Sequence, residues 1–281
     1  MIDLAIPVLY ALLIWWMGTG VVLFVARLPA RTYPISLAVG ALMALAAIAV
    51  IAATAETVTA GSAYLAFAAA IVIWGFVELT FLTGVLLGPD RAEASPAAAG
   101  WARFSHAVSA IIHHELALLA GGAVILAASY GADNQVAIWT YAILWLMRLS
   151  AKLNLFLGVP NLHDELLPRR LAHLRGHFRR GPMNPLLPVS ILLTLFAAGY
   201  LAYLAISDAS DASFATASML MAALLALAAL EHVFMLIPLP VMNLWNWRRS
   251  GDASDAPSSA TEPAPVSQGP KIAASIARRG L

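Results

Sequence analysis

The sequence predicts an all-α polytopic membrane protein, a bundle of about seven transmembrane helices with a periplasmic N-terminus and a cytoplasmic C-terminus. Three observations predict it. Hydrophobic residues make up 61 % of the 281 and charged residues only 11 %, where a soluble domain is about 25 % charged. The apolar residues fall in runs of about 20, the length at which a helix crosses the hydrocarbon of a bilayer. Basic residues follow every second run, as the positive-inside rule requires.

The transmembrane domain is read as residues 1–249. Its first run, Leu4–Ala26, has neither a basic leader nor a small-residue cleavage site, so it reads as a retained helix and not a signal peptide. Arg27 and Arg31 follow it. Pro34–Thr54 is the second run and Ser62–Leu87 the third, separated by a loop whose only charge is Glu56. At the end of the third, Gly84-x-x-x-Gly88 matches the close-packing motif of membrane helices, although Pro89 directly after Gly88 is equally a helix stop.

Arg91 and Arg103 precede the fourth run, Ser105–Tyr130, and Asp133 separates it from the fifth, Gln135–Leu157. A basic cytoplasmic loop, 158–185, carries Arg169, Arg170, Arg175, Arg179 and Arg180. The sixth run, Leu186–Ile206, and the seventh, Ala215–Pro238, flank a loop with Asp208 and Asp211, and Arg248 and Arg249 close the domain. Because every Lys and Arg between the runs lies on one side, miscounting by one would scramble the pattern. Residues 250–281, rich in Ala, Ser and Pro, cannot bury enough apolar surface to fold and read as a disordered cytoplasmic tail.

Several function classes drop out. Cysteine is absent, which removes thiolate metal sites and thiol nucleophiles. No phosphate-binding glycine loop and no Gly-x-Ser-x-Gly motif occurs. The Arg-rich loop has no stacking aromatic beyond Phe178, so it reads as an amphipathic helix on an anionic leaflet and not as a nucleic-acid patch. His173 and His177 have metal-pair spacing, but Arg175, Arg179 and Arg180 around them repel a cation.

Chemistry concentrates inside the membrane instead. Glu78, His113, His114, Glu115, Arg148, Lys152, Asn154, Glu231 and His232 lie on four runs, and the ionisable ones fall about 8 to 15 Å from the cytoplasmic ends at 1.5 Å per residue. Charges at that depth face the protein interior and are paired. Arg148 and Lys152 share a helix face, with Glu78, Glu115 and Glu231 as the available carboxylates.

Four readings of this layer stay open: an ion-pair network that fixes helix packing, a metalloenzyme centre, a pigment or haem site with His114 or His113 as axial ligand, and a proton or ion path. The metal reading is the poorest fit, since His113, His114 and Glu115 are adjacent and point about 100° apart on a helix. Among those histidines, a porphyrin-type pigment or haem would bind through one ring nitrogen.

The segment Leu144–Pro168, LWLMRLSAKLNLFLGVPNLHDELLP, together with HHELALL at His113–Leu119, GPMNPLLPVS at Gly181–Ser190 and LEHVFMLIPLP at Leu230–Pro240, resembles the PuhE family of photosynthetic complex assembly proteins, encoded beside reaction-centre genes in purple phototrophic bacteria. The resemblance covers about Leu4 to Trp247. It implies a multi-pass protein of the bacterial inner, photosynthetic membrane without enzymatic turnover. Its partners would be reaction-centre or light-harvesting subunits and other assembly factors, and it would bear on bacteriochlorophyll supply. It supplies no catalytic residues; the matching positions Glu78, His114, Glu115, Arg148, Lys152, Asn154, Asn161, Glu231 and His232 are the candidates for functional sensitivity.

Overall fold

A computed structural model describes residues 2–92, 99–162 and 167–237. Seven α-helices make up most of them: α1 (Ile2–Ala26), α2 (Tyr33–Thr54), α3 (Ala60–Leu82), α4 (Gly100–Ala128), α5 (Val136–Leu157), α6 (Leu186–Ser207) and α7 (Ala212–Phe234). All seven are long and apolar enough to cross a membrane. No β-strand occurs among the described residues, only an isolated bridge between Val159 and Arg180. The proposed tail, and Arg248 and Arg249 before it, lie outside the described residues.

Two helices form the centre. Over their most apolar stretches α3 is 67 % buried and α7 72 %, against 11–22 % for the other five. Composition explains the choice: Ala63, Ala66, Ala69 and Ala70 on α3 and Ala222, Ala223, Ala228 and Ala229 on α7 are all buried. Small side chains let helix backbones approach closely, which supplies the dispersion contacts that hold membrane helices together where lipid offers no hydrophobic drive. Phe67, Leu220 and Leu224 fill the space between them. Around this pair α1 packs on α3 and α7, α2 on α3, α4 on α3 and α5, α5 on α3 and α7, and α6 on α7.

Helix ends differ from the hydropathy reading where polar chemistry sets them. The third helix starts at Ala60, not Ser62, because Thr59 and Ser62 form a reciprocal capping box. It stops at Leu82, not Leu87. Gly84 takes a positive φ of 81°, and the amides of Val85 and Leu86 turn back to the carbonyl of Thr80. Gly88 is therefore no helix-packing glycine. Its amide donates to Ala110 O at 2.9 Å, and a Cβ there would stand 1.7 Å from Ser109 O, so backbone meets backbone.

Asp211 moves the start of α7 to Ala212 by accepting from the amides of Ser213 and Phe214 at 2.9 and 3.0 Å. An acidic cap at a helix N-terminus also complements the helix dipole. The fourth helix begins at Gly100, more than a turn before Ser105. Its extra residues include Arg103, which donates from Nη2 to the carbonyls of Phe156 and His177, both at 2.9 Å, and stacks 4.0 Å over the Phe156 ring. One side chain thus caps the end of α5 and ties down the following loop.

That loop is not an amphipathic α-helix lying on lipid. Residues Arg169–His177 form 3₁₀ turns, and Leu171 (0 % exposed) and Leu174 (4 %) insert beside Leu79, Phe81, Leu82 and Leu87. Arg170 lies 4.4 Å over the Tyr33 ring and donates to Thr83 O at 3.2 Å. The segment plugs the Arg-rich end of the bundle.

Candidate functional site

The site is built on α5. Arg148 and Lys152, one helical turn apart on one face, each meet a carboxylate from a different neighbour. Arg148 Nη2 lies 3.2 Å from Glu78 Oε2 on α3. Lys152 Nζ pairs with Glu115 Oε1 on α4. His114, fully buried, sits between the pairs with its ring stacked on Phe81 at 4.2 Å and Nε2 3.7 Å from Glu78 Oε1. Five of the sequence-proposed residues are thereby brought together.

The pairs are not equally enclosed. Lys152 and Glu115 are 18 % and 17 % exposed, whereas Arg148 is 42 % exposed beside a Glu78 at 13 %. Lys152, four residues nearer the end of α5, is nevertheless the more enclosed cation. Around the first pair several buried polar atoms have no hydrogen-bond partner among the described residues: Glu78 Oε1, both ring nitrogens of His114, Trp145 Nε1 and Arg148 Nε.

Asn154 and His232 belong to a second, uncharged seam between α5, α6 and α7. His232 Nδ1 lies 2.8 Å from the Ala228 carbonyl, which can only accept, so Nδ1 carries the proton and Nε2 accepts from Ser150 Oγ at 3.0 Å. Ser150 Oγ is also 3.0 Å from Ser190 Oγ, and Asn154 Nδ2 reaches Ser150 O at 2.9 Å and Ser190 Oγ at 3.3 Å. Asn184 extends the seam. Its Nδ2 donates to Gly158 O and Asn154 O, and its Oδ1 accepts from the amides of Leu186 and Leu187. Ser150, Ser190 and Asn184 are absent from the sequence reading, because neutral polar side chains give no charge signal in an apolar run.

Two residues stand apart from both groups. His113 is exposed and turns its Nδ1 to the Leu87 carbonyl, bracing the turn after α3. Glu231 is exposed on α7, with no Lys, Arg or His nitrogen within 4.0 Å among the described residues. Asn161 binds the chain after α7, its amide donating to Met235 O at 3.0 Å. Among the described residues no three His, Asp or Glu side chains converge as a metal set.

At the Arg-rich end, His106 Nδ1 and Asp90 Oδ2 are 2.7 Å apart. That hydrogen bond, with a second from the Ala92 amide, holds the Asp90 carboxyl below its ordinary range. His177 is 6 % exposed. Burial pushes its imidazole below the ordinary value against the pull of Asp90, with His173, Arg103 and His106 adding to the depression. An unfolded histidine titrates near about 6.5, so between that value and the lower folded one the unfolded chain holds the extra proton. The fold is therefore expected to keep this stability above about pH 6.5 and lose it on acidification. Melting temperatures in detergent at pH 8 and pH 5.5 measure the loss, and His177→Gln is expected to shrink the difference; an unchanged pH slope would count against it.

The whole chain has relatives. The family described as "protein of unknown function (DUF3623)" matches residues 1–256. The chain is 37 % identical over 261 residues to the "Uncharacterized 30.4 kDa protein in puhA 5'region" of Rhodobacter capsulatus, covering 92 % of this chain and 94 % of that protein. No solved structure matches.

Proposed function

We propose, from the premise that this chain belongs to the DUF3623 family of proteins of unknown function, that it is an integral-membrane assembly factor for photosynthetic reaction-centre and light-harvesting complexes. The observation that carries this reading is near full-length similarity, 37 % identity over 92 % of the chain, to a protein described as lying in the puhA 5′ region of Rhodobacter capsulatus. The resemblance of the Leu144–Pro168 segment to the PuhE family points the same way.

A helper of this kind needs a fixed arrangement of its own helices. Ion pairs join α5 to α3 and α4, and such pairs fix which helices adjoin. The protein would lie in the inner, photosynthetic membrane with the Arg-rich end in the cytoplasm. A Rhodobacter capsulatus strain lacking the 37 % identical relative provides the test. Near-infrared absorption of its membranes is expected to show several-fold less reaction-centre or light-harvesting complex, restored by expressing this chain. Unchanged complex levels in the deletion strain would overturn the reading.

A second reading has one observation in its favour: neither ring nitrogen of the buried His114 has a hydrogen-bond partner among the described residues, although Nε2 lies 3.7 Å from Glu78 Oε1, and this is compatible with an axial bond to bacteriochlorophyll or haem. A stoichiometric pigment band in the purified protein that is lost in His114→Leu, with the fold retained, would establish it.

A further inference from the structure

We propose that the junction of α3, α4 and α5 holds internal water around Glu78, His114 and Arg148, in a site that opens toward the Arg-rich end and is blind beyond Trp145. Five buried polar atoms on these helices have no hydrogen-bond partner among the described residues: Glu78 Oε1, both ring nitrogens of His114, Trp145 Nε1 and Arg148 Nε. Glu78 links their side chains. Its Oε1 stands 3.7 Å from His114 Nε2 and its Oε2 3.2 Å from Arg148 Nη2, and Trp145 precedes Arg148 by three residues, on the same side of α5. Buried polar groups are nearly all paired with protein or with ordered water, so five unpaired atoms at one junction mark a ligand.

The mixture of donors and acceptors selects that ligand. Trp145 Nε1 and Arg148 Nε only donate, the Glu78 carboxylate paired with Arg148 only accepts, and a neutral His114 ring does one of each. A metal ion would serve the acceptors alone and would face Arg148. An anion would serve the donors alone and would face Glu78. A tetrapyrrole would take one nitrogen of His114 and leave the other four atoms unpaired. Water both donates and accepts, and a buried water makes about three hydrogen bonds to groups of this kind. The enclosure agrees with it: His114 is fully buried and its ring is stacked on Phe81 at 4.2 Å, which favours the smallest ligand.

The two ends of the site differ. Toward the Arg-rich end the polar set continues one turn along α5 to Lys152 and its partner Glu115, both partly exposed. In the opposite direction it stops. Tyr141, one turn before Trp145, is 2 % exposed, donates to the Leu118 carbonyl at 2.9 Å and meets Trp74 edge-on with ring centroids 5.4 Å apart. Leu118 and Ile125, both buried, close the side of α4. An ion path, one of the readings the sequence leaves open, therefore ends at His114 and does not cross the bundle.

This site is independent of the assembly reading, and its test needs neither client nor strain. The full chain, labelled with nitrogen-15 in its histidines, is placed in phosphatidylcholine vesicles, and magnetisation transfer from water protons to the ring nitrogens is followed by solid-state NMR. The His114 signal is identified by its loss in His114→Gln. Two other histidines calibrate the rate: His106, 60 % exposed, and His232, whose ring nitrogens are both bonded within the protein. His114 is expected to receive magnetisation nearly as fast as His106 and about tenfold faster than His232, since an internal water lies within hydrogen-bond reach of the first ring and not of the last. Glu78→Leu/Arg148→Leu, which removes the charged groups that hold the water, is expected to slow His114 to the rate of His232 and to leave His106 unchanged.

Transfer to His114 as slow as to His232 in the unaltered protein would overturn the water site, whatever the variants do. A stoichiometric pigment band that is lost in His114→Leu would overturn it in favour of a tetrapyrrole. Proton flux through the vesicles that is abolished by Glu78→Gln would overturn the blind end.

Discussion

Lys152→Leu is expected to destabilise the folded protein by about 3–5 kcal/mol, the cost of leaving a buried carboxylate without its partner. Glu115 is the carboxylate left behind, and at 17 % exposure it has little access to solvent. Because its partner is equally enclosed, Glu115→Leu is expected to cost a comparable amount. The double substitution is expected to recover most of either loss, since an apolar pair of similar volume can replace a buried ion pair at little cost. The pair Glu78–Arg148 is expected to behave asymmetrically. Arg148→Leu strands a Glu78 that is 13 % exposed, whereas Glu78→Leu strands an Arg148 that is 42 % exposed and whose long side chain can snorkel toward the headgroups, so the first substitution is the more damaging. Thermal unfolding of the four single variants in one detergent decides this; four equal losses, or additive losses in Lys152→Leu/Glu115→Leu, would refute the ion-pair account.

Asn184→Ala is expected to cost about 2–4 kcal/mol, the second largest effect among single substitutions considered. Asn184 is 8 % exposed, and one side chain satisfies four backbone groups: two carbonyls at the end of α5 and two amides at the start of α6. Removing it orphans those groups where water is scarce, at about 1–3 kcal/mol for each that finds no substitute. Asn184→Asp separates the two halves of the role. Aspartate retains the acceptor for the Leu186 and Leu187 amides and loses the donors to Asn154 O and Gly158 O, so its melting temperature is expected to fall between those of the native protein and Asn184→Ala. An Asp variant as unstable as the Ala variant would show that only the donors matter.

The helices were legible because twenty apolar residues in lipid admit few alternatives to a helix. Their ends were less so. The extra start of α4, Gly100–Phe104, contains Arg103 and falls outside any hydropathy window, yet it is helical because Arg103 has carbonyls to bind across the bundle. The turn at Gly84–Gly88 was hidden by apolar neighbours, Val85, Leu86 and Leu87, that continue the run without continuing the helix.

Counting residues along each helix was sufficient to bring Glu78, His114, Glu115, Arg148 and Lys152 to one region, since depth in a membrane is nearly one-dimensional. Azimuth was not available from the sequence. His113 and His114 differ by one residue, and one braces a loop while the other is fully buried beside Glu78. For the same reason Glu231 could not be told from an internal carboxylate.

The central position of α3 and α7 has a consequence for how the chain is made. Synthesis delivers α3 early and α7 last, with three other helices between them. The face of α3 that receives Leu220, Met221 and Leu224 therefore waits through most of translation for the helix that covers it. A chain interrupted before Ala212 holds six helices and half of its centre, with the small-residue face of α3 open to lipid or to any neighbouring segment. The bundle is complete only once α7 has been made, so products truncated before it present a surface that membrane proteases can distinguish from the finished protein.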